Sequence, residues 1–168
     1  QAKALTHVKH NYLVIIEADN IYPSAFIENL LSEYKSTNYF ALHATVEPIY
    51  DHSFFEKGMK LFFEIHYYSK GGDESLGGVG IWDTEKYIEI FKQTQKVQGY
   101  SFDTARLEVI KSRKLKVGLG KTIAWQAKKI GYKDSIKQYF NYGKGDYDFY
   151  ESHKKQWTTR RKLKSIFH

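Results

Sequence analysis

Cysteine is absent from the 168 residues, which excludes a disulfide framework, a cysteine-ligated zinc site and a thiol nucleophile. Proline occurs only at Pro23 and Pro48, so no proline-rich linker divides the chain. The longest apolar run, Tyr12–Ile16, is far shorter than the ~20 residues that cross a bilayer. Hydrophobic residues make up 42% and charged residues 27%. These shares are typical of a globular domain and exclude a collagen-like or disordered chain.

Acidic residues are scarce in the second part of the chain, so the charge is unevenly distributed. Residues 1–110 contain 10 Lys and Arg against 15 Asp and Glu, whereas residues 111–168 contain 16 against 4. The net charges are therefore −5 and +12, within a total of +7. This asymmetry predicts an acidic working face and a basic segment that meets a polyanion, which is a phosphate-bearing ligand, an anionic membrane surface or nucleic acid.

Strand-like and helix-like segments alternate along the chain. The unbroken apolar run at Tyr12–Ile16 predicts a strand that is buried on both faces, as in a parallel sheet. We predict further strands at Tyr39–Val46, Gly80–Trp82, Lys116–Val117 and Thr122–Trp125. We predict helices that start near Pro23, Ser53 and Asp83 and that cover Thr104–Lys114 and Ser135–Tyr142, the last ending at Gly143 and Gly145. The alternation indicates an α/β layered domain.

Two carboxylates, Glu17 and Asp19, come directly after the first predicted strand. Ligands of open α/β sheets bind at the carboxyl ends of strands. Paired oxygen ligands at such an edge suit Mg²⁺ or Mn²⁺, which take one or two carboxylates together with the phosphates of a substrate. From the residues alone, a solvated turn before the next helix is the other interpretation.

This stretch is similar to the metal-binding D-x-D region of the family 2 glycosyltransferases, whose catalytic domain has the fold called GT-A. In that family an apolar strand and an acidic pair are followed by a proline and a helix. Tyr12–Ile16, Glu17, Asp19, Pro23 and Phe26 keep this order and spacing, with Glu17 where an aspartate is usual. The resemblance implies that Glu17 and Asp19 bind Mg²⁺ or Mn²⁺ against the diphosphate of a nucleotide-sugar donor.

A glycine-rich segment at residues 76–82, LGGVGIW, is the second match to the family. Family members have a loop of small residues here, followed by a short strand and a helix. Glycine lets backbone N–H groups approach a phosphate or a sugar closely. The resemblance implies that Gly77, Gly78, Gly80 and Trp82 lie beside the sugar and the acceptor. Asp83 stands where the family usually has a basic residue.

The general base of the family is an aspartate that opens a helix, usually directly after a glutamate. Residues 101–104, SFDT, match this pattern with Phe102 in place of the glutamate. Asp103 is one candidate for the base, and we expect it to cap its helix at the loop edge of the site. Glu108 is the other candidate, and both precede the basic segment Lys111–Lys116. The resemblance implies that one of them deprotonates the acceptor hydroxyl.

Residues 135–146, SIKQYFNYGKGD, resemble a segment that follows the catalytic core in many family members. The resemblance implies that Gln138, Tyr142, Gly143 and Gly145 shape the acceptor side of the site. Asn141 and Tyr142 replace the arginine and tryptophan of processive members, so we do not expect a processive enzyme. No histidine stands at residues 122–126, where the family often has one.

Basic and aromatic residues alternate in the final segment, residues 154–164, KKQWTTRRKLK. We expect this segment to lie on an anionic membrane surface with Trp157 at the depth of the headgroups. A solvated terminal helix is the other interpretation. The composition also suits RNA, but no recognised RNA-binding motif is present, so we do not expect nucleic acid as a partner.

Together the matches imply a partial GT-A domain, a Rossmann-like layered sheet with flanking helices. Residues 1–146 would belong to the catalytic domain, and residues 147–168 would form a basic aromatic tail beside a membrane. A complete GT-A domain opens with a β-α-β unit that binds the nucleotide base, and the chain begins only a few residues before the metal-binding strand. We therefore expect the C-terminal part of a larger glycosyltransferase, or a sequence truncated at its N-terminus.

The expected activity is a metal-dependent, inverting transfer of a hexose from a nucleotide sugar to a hydroxyl of a saccharide, lipid or polyisoprenyl-phosphate acceptor. The expected location is the cytoplasm, at the inner face of a membrane. Two alternatives stay open. One is a non-enzymatic module that binds RNA or a membrane, and the other is a degenerate transferase domain kept for assembly.

Overall fold

An open, mixed β-sheet with flanking helices organises the chain, which is therefore an α/β protein of a kind compatible with a Rossmann-like fold. The computed structural model describes residues 2–49, 52–65, 78–94, 102–127, 131–155, 157–159 and 162. Its elements are α1 (Ala2–Leu5), β1 (Tyr12–Ile15), β2 (Asn20–Ile21), α2 (Phe26–Lys35), β3 (Ala41–Pro48), α3 (Phe54–Phe63), β4 (Gly80–Asp83), α4 (Thr84–Thr94), α5 (Phe102–Ser112), β5 (Val117–Gln126) and α6 (Tyr132–His153).

The strands of the described sheet follow the order β1-β4-β3-β5-β2. β3 and β5 are parallel, and β4 runs antiparallel to both β1 and β3. β1, β3 and β5 therefore point in one direction, and their carboxyl ends lie at the same edge of the sheet. This arrangement corrects the prediction for β1. It is not a strand buried in a parallel sheet but a half-exposed strand at the edge, paired antiparallel with β4.

The core consists of two clusters, one on each face of the sheet. Phe26, Leu30 and Tyr34 of α2 pack against one face, as their helical spacing predicts. Aromatic and aliphatic residues of α4 and α5 cover the other face. Neighbouring residues of one strand point to opposite clusters, such as Ile81 and Trp82 of β4. The apolar run of β1 follows the same rule, because it contributes to both clusters from its position at the edge.

Two predicted helix starts are confirmed by their caps. Ser53 and Glu56 form a capping box at the start of α3, in which the Ser53 hydroxyl accepts from the Glu56 N–H at 3.1 Å and the Glu56 carboxylate accepts from the Ser53 N–H at 2.8 Å. Asp83 accepts from the Lys86 N–H at 3.0 Å at the start of α4. Each cap satisfies amides that have no partner within the helix.

The two short strands predicted between residues 116 and 125 are one strand, β5. Its pairing with β3 is interrupted by a bulge between the pairs His43–Leu119 and Thr45–Ile123. Within the bulge, the Glu33 carboxylate of α2 accepts from the N–H groups of Lys121 at 2.8 Å and of Thr122 at 3.3 Å. This distant side chain replaces the lost ladder partners, so the strand continues where the local sequence predicted a break.

The predicted end of the last helix is wrong, because α6 continues through Gly143 and Gly145 to His153. It also crosses residue 146, where we predicted the end of the catalytic domain. A helical glycine costs only about 1 kcal/mol, and the added turns place Phe149 in a buried position. Trp157 packs on Phe149 with 5.7 Å between ring centroids, so this tryptophan folds back on α6. Within the described residues, no helix is long and apolar enough to span a membrane.

Candidate functional site

The turn after β1 brings Glu17 next to the glycine segment that precedes β4. Ile15 pairs with Gly80, so the end of β1 and the start of β4 lie side by side. A Cβ added to Gly78 would overlap the carboxyl group of Glu17. The lack of a side chain at residue 78 is therefore what makes room for this carboxylate, although the two residues are far apart in the sequence.

Tyr22 and Asn20 hold the turn in shape. The Tyr22 hydroxyl donates to the backbone carbonyl of Glu17 and accepts from its N–H, both at 2.8 Å. The Asn20 side chain donates to a Glu17 carboxylate oxygen at 3.4 Å. The Asp19 carbonyl accepts from the Ala127 N–H at 2.9 Å, which ties the turn to the residue after β5. Four hydrogen bonds, made with Tyr22, Asn20 and Ala127, thus order the turn that carries Glu17 and Asp19.

Two other acidic residues act on the Glu17 carboxyl at this edge of the sheet. Partial burial raises the pKa of the Glu17 carboxyl, the negative charges of Asp19 and Asp103 raise it further, and the hydrogen bond from Asn20 opposes the shift. Such repulsion between carboxylates in a half-buried site is relieved by a cation.

Asn20 is a candidate ligand that the sequence reasoning missed. It is only 9% exposed, and its side-chain oxygen has no hydrogen-bond partner among the described residues. The sequence feature that could have identified Asn20 as a ligand is its position directly after Asp19. The described residues contain no group of three or more His, Cys, Asp or Glu side chains able to hold a metal. Two carboxylates and an amide oxygen nevertheless fit Mg²⁺ or Mn²⁺, because these ions usually complete their shell with phosphate oxygens and water.

We predicted that Asp103 caps α5, but the helix already begins at Phe102, so Asp103 lies within its first turn. Its side chain is 61% exposed, and one carboxylate oxygen accepts a hydrogen bond from the Arg106 guanidinium. Glu108 is half-buried and lies five residues further along α5, which turns it by about 140° around the helix axis. Of the two candidate bases, Asp103 is the one whose charge acts on Glu17.

Arg106 lies in a box of aromatic side chains, and the sequence reasoning missed it too. Its guanidinium carbon is 4.6 Å from the ring centroid of Phe102, 5.6 Å from that of Trp82 and 5.9 Å from that of Tyr87. The guanidinium also donates to the Tyr87 hydroxyl at 3.0 Å. Its spacing of three residues from Asp103, one turn along a helix, was a signal that could have found the pair.

The glycine segment divides into residues with different roles. Trp82 is 1% exposed and packs in the core against Phe40 and Tyr87, so its ring is closed to a substrate and the prediction for it is corrected. Gly80 is needed for strand pairing, because a Cβ there would lie 2.9 Å from the Leu42 carbonyl oxygen. Gly78 adjoins Glu17, and Gly77 lies outside the described residues.

The residues predicted to shape the acceptor side lie along α6. Gln138 donates to the Tyr142 hydroxyl at 2.6 Å, one turn further on. Gly143 is exposed with open space around it, and Gly145 is half-buried. The structure thus joins Gln138 to Tyr142 within one helix, while Glu17 and Asp19 follow β1 and Asp103 lies in the first turn of α5.

Comparison with known proteins adds no family to this picture, because no protein-family model and no curated protein sequence matches the chain. The class that the fold defines is an α/β protein with an open mixed sheet.

Proposed function

We propose that this chain is part of a metal-dependent, inverting glycosyltransferase with a GT-A-like domain. The observation that carries the proposal is the half-buried Glu17 carboxyl beside Gly78 at the carboxyl end of β1, where the negative charges of Asp19 and Asp103 raise its pKa. These side chains come from two distant parts of the chain. Carboxylates at the carboxyl end of a strand are suited to a substrate that arrives with a divalent cation and phosphates.

Glu17 and Asp19, together with the side-chain oxygen of Asn20, would hold Mg²⁺ or Mn²⁺. When bound, the cation would offset the negative charge of the leaving nucleoside diphosphate. Tyr22 orders the turn through the two hydrogen bonds between its hydroxyl and the Glu17 backbone. Gly78 leaves the space in which the Glu17 carboxyl stands. The binding turn is therefore shaped before a ligand arrives, which lowers the cost of binding.

Asp103 is the proposed general base. Its exposed carboxylate can reach an acceptor, and one of its oxygens is occupied by Arg106, which leaves the other to accept a proton. As the acceptor oxygen forms its bond to the anomeric carbon, its proton passes to Asp103, and the bond from that carbon to the diphosphate oxygen breaks. The attack from the face opposite the leaving group inverts the configuration.

An anionic membrane surface is the proposed partner of α6, at the cytoplasmic face. Large apolar side chains form an exposed stripe along this helix, namely Tyr132, Ile136, Tyr139, Phe140 and Tyr147. At 3.6 residues per turn, the exposed Lys133, Lys137 and Lys144 fall on one flank of the stripe. Exposed rings beside lysines suit the headgroup region of anionic lipids. This surface favours a lipid or polyisoprenyl-phosphate acceptor, with a saccharide as the other class.

The same surface supports the competing function of a non-enzymatic binding module. The two functions differ in what binding requires. A transferase should bind a nucleotide sugar only with Mg²⁺ or Mn²⁺, whereas a module should bind vesicles or RNA without metal and lose that binding as salt rises.

The direct test measures sugar transfer by the full-length protein with Asp19→Asn. We expect transfer to fall at least about 100-fold, the upper range for residues that only support metal ligands. Glu28→Gln is the matched control, because it makes the same carboxyl-to-amide change on the exposed side of α2 and should leave transfer unchanged. Full transfer by the Asp19→Asn protein would rule out the metal assignment.

A further inference from the structure

Burial of the Arg106 guanidinium is unfavourable, because its positive charge is removed from water. Arg106 is only 5% exposed, and three aromatic rings surround its guanidinium. Moving a charge from water into such a place is costly, and a buried ion pair can often be replaced by apolar residues with equal or better stability. Stability alone therefore does not explain why a cation stands at this position.

The partner of Arg106 is unlike the usual partner of a buried cation. Asp103 is 61% exposed, so water would solvate its carboxylate if the arginine were absent. The arginine, by contrast, is held in place by the Tyr87 hydroxyl at 3.0 Å and by stacking on Phe102. The pair thus joins a rigid, buried donor to a carboxylate that would otherwise move freely at the surface.

We infer that Arg106 is a positioning residue, which holds the Asp103 carboxylate towards the edge where Glu17 stands. The inference rests on the proposed function, since Asp103 is there the general base. A fixed guanidinium restricts the rotation of the carboxylate and occupies one of its oxygens, so the other oxygen keeps one direction. The orientation of the carboxylate should affect the rate of sugar transfer, because displacement of a reacting group by about 1 Å can cost 100-fold in rate.

Tyr87 is the second member of this arrangement. It is 1% exposed, and its hydroxyl receives one arm of the Arg106 guanidinium while the other arm reaches Asp103. The order of contacts is therefore Tyr87, Arg106, Asp103. Removing the tyrosine hydroxyl should loosen the arginine without changing any group that contacts a substrate.

The decisive variant is Arg106→Met combined with Tyr87→Phe in the full-length protein. It removes the cation and the hydroxyl that would lose its donor, and it leaves Asp103 solvated. We expect the fold and the thermal unfolding temperature to be kept, kcat for sugar transfer to fall about 10- to 100-fold, and KM for the nucleotide sugar to stay within about twofold. Adding Asp103→Asn to this variant should cause a smaller loss than Asp103→Asn causes in the unmodified protein, because the base has already lost its orientation.

Arg113→Met is the matched control. Arg113 directly follows α5 and also pairs with a carboxylate, at 2.9 Å, but this partner is Glu89 of α4 and not Asp103. Its replacement should leave kcat unchanged. The Asp103→Asn protein separates the two claims, because full transfer by that variant would overturn the proposed base itself.

If Asp103→Asn lowers transfer and the Arg106 variant folds with the kcat of the unmodified protein, the positioning role is refuted while the base stands. If the Arg106 variant does not fold, Tyr87→Phe alone decides the question. It keeps the ring and the cation, and we expect a several-fold loss of kcat with KM unchanged. An unchanged kcat in the folded Tyr87→Phe protein would overturn the inference.

Discussion

Replacement of Gly78 by alanine tests whether the Glu17 carboxylate must stand where the structure places it. The added Cβ would overlap the carboxyl carbon and one oxygen of Glu17 and would lie 3.0 Å from its Cγ. Since real Cβ atoms essentially never come closer than 3.0 Å to another atom, the carboxyl group must leave this position. The backbone of Gly78 is outside the positive-φ region, so alanine itself is tolerated there.

The expected effect on metal binding is large, and the effect on stability is small. When the carboxyl group is displaced, Glu17 loses the 3.4 Å hydrogen bond from Asn20. Loss of a residue that supports a metal ligand costs 10- to 100-fold in affinity, and displacement of a ligand should reach the upper value. This corresponds to about 2.7 kcal/mol of binding free energy. The free energy of unfolding should change by less than about 1 kcal/mol, because only the flexible end of a side chain moves.

The assay is a titration of the protein with Mn²⁺ in the presence of a nucleoside diphosphate. Binding is measured by calorimetry or from the electron spin resonance signal of free Mn²⁺. Gly58→Ala is the control, because a Cβ at that helical glycine meets nothing within 4 Å and should leave the affinity unchanged. Glu17→Gln combined with Gly78→Ala should be little weaker than either change alone. A folded Gly78→Ala protein with undiminished Mn²⁺ affinity would refute the view that Glu17 binds metal from this position.

Further predictions concern the remainder of the fold. Phe26→Ala should lower the free energy of unfolding by about 3–5 kcal/mol in a denaturant titration, because Phe26 is fully buried under α2; a loss below 1 kcal/mol would contradict this packing. Gly143→Ala should stabilise α6 by about 1 kcal/mol, whereas destabilisation would show that the helix ends there. Phe140→Ser should weaken binding to vesicles that contain anionic lipids, because this ring is 73% exposed. Unchanged binding would contradict a contact between Phe140 of α6 and the membrane. Burial raises the pKa of Tyr34 to about 12, so the folded state favours the neutral phenol and loses stability between about pH 10 and 12; Tyr34→Phe should lessen this loss in unfolding curves recorded across that range.

Much of the fold could be predicted because the signals are local. The cap at Ser53 needs only Glu56 three residues later, and the stripe of Phe26, Leu30 and Tyr34 follows from helical spacing. Hydrogen bonds and periodicities of this kind act over one or two turns, so they are written in neighbouring residues. The start of β4 and the helix after Asp83 were found for the same reason.

The errors arose where a distant residue decides the outcome. Glu33 supplies the bonds that carry β5 through its bulge, and the packing of Phe149 lies beyond the glycines at which α6 was expected to end. The apolar run of β1 predicts burial on both faces, but its place in the strand order leaves it at the edge of the described sheet. Contacts between distant residues leave no periodic trace, so a local pattern cannot reveal them.

The candidate site divides along the same line. The residues alone established that Glu17 and Asp19 follow a strand and that Asp103 stands near the start of a helix, because these are relations between neighbours. The order of the strands and the packing of α5 decided that the charges of Asp19 and Asp103 act on Glu17, that Gly78 makes room for Glu17 and that Trp82 is buried. They also decided that Arg106 lies among aromatic rings with Asp103 as its partner. Such meetings depend on how the sheet folds the chain back on itself, and only the tertiary structure contains that information.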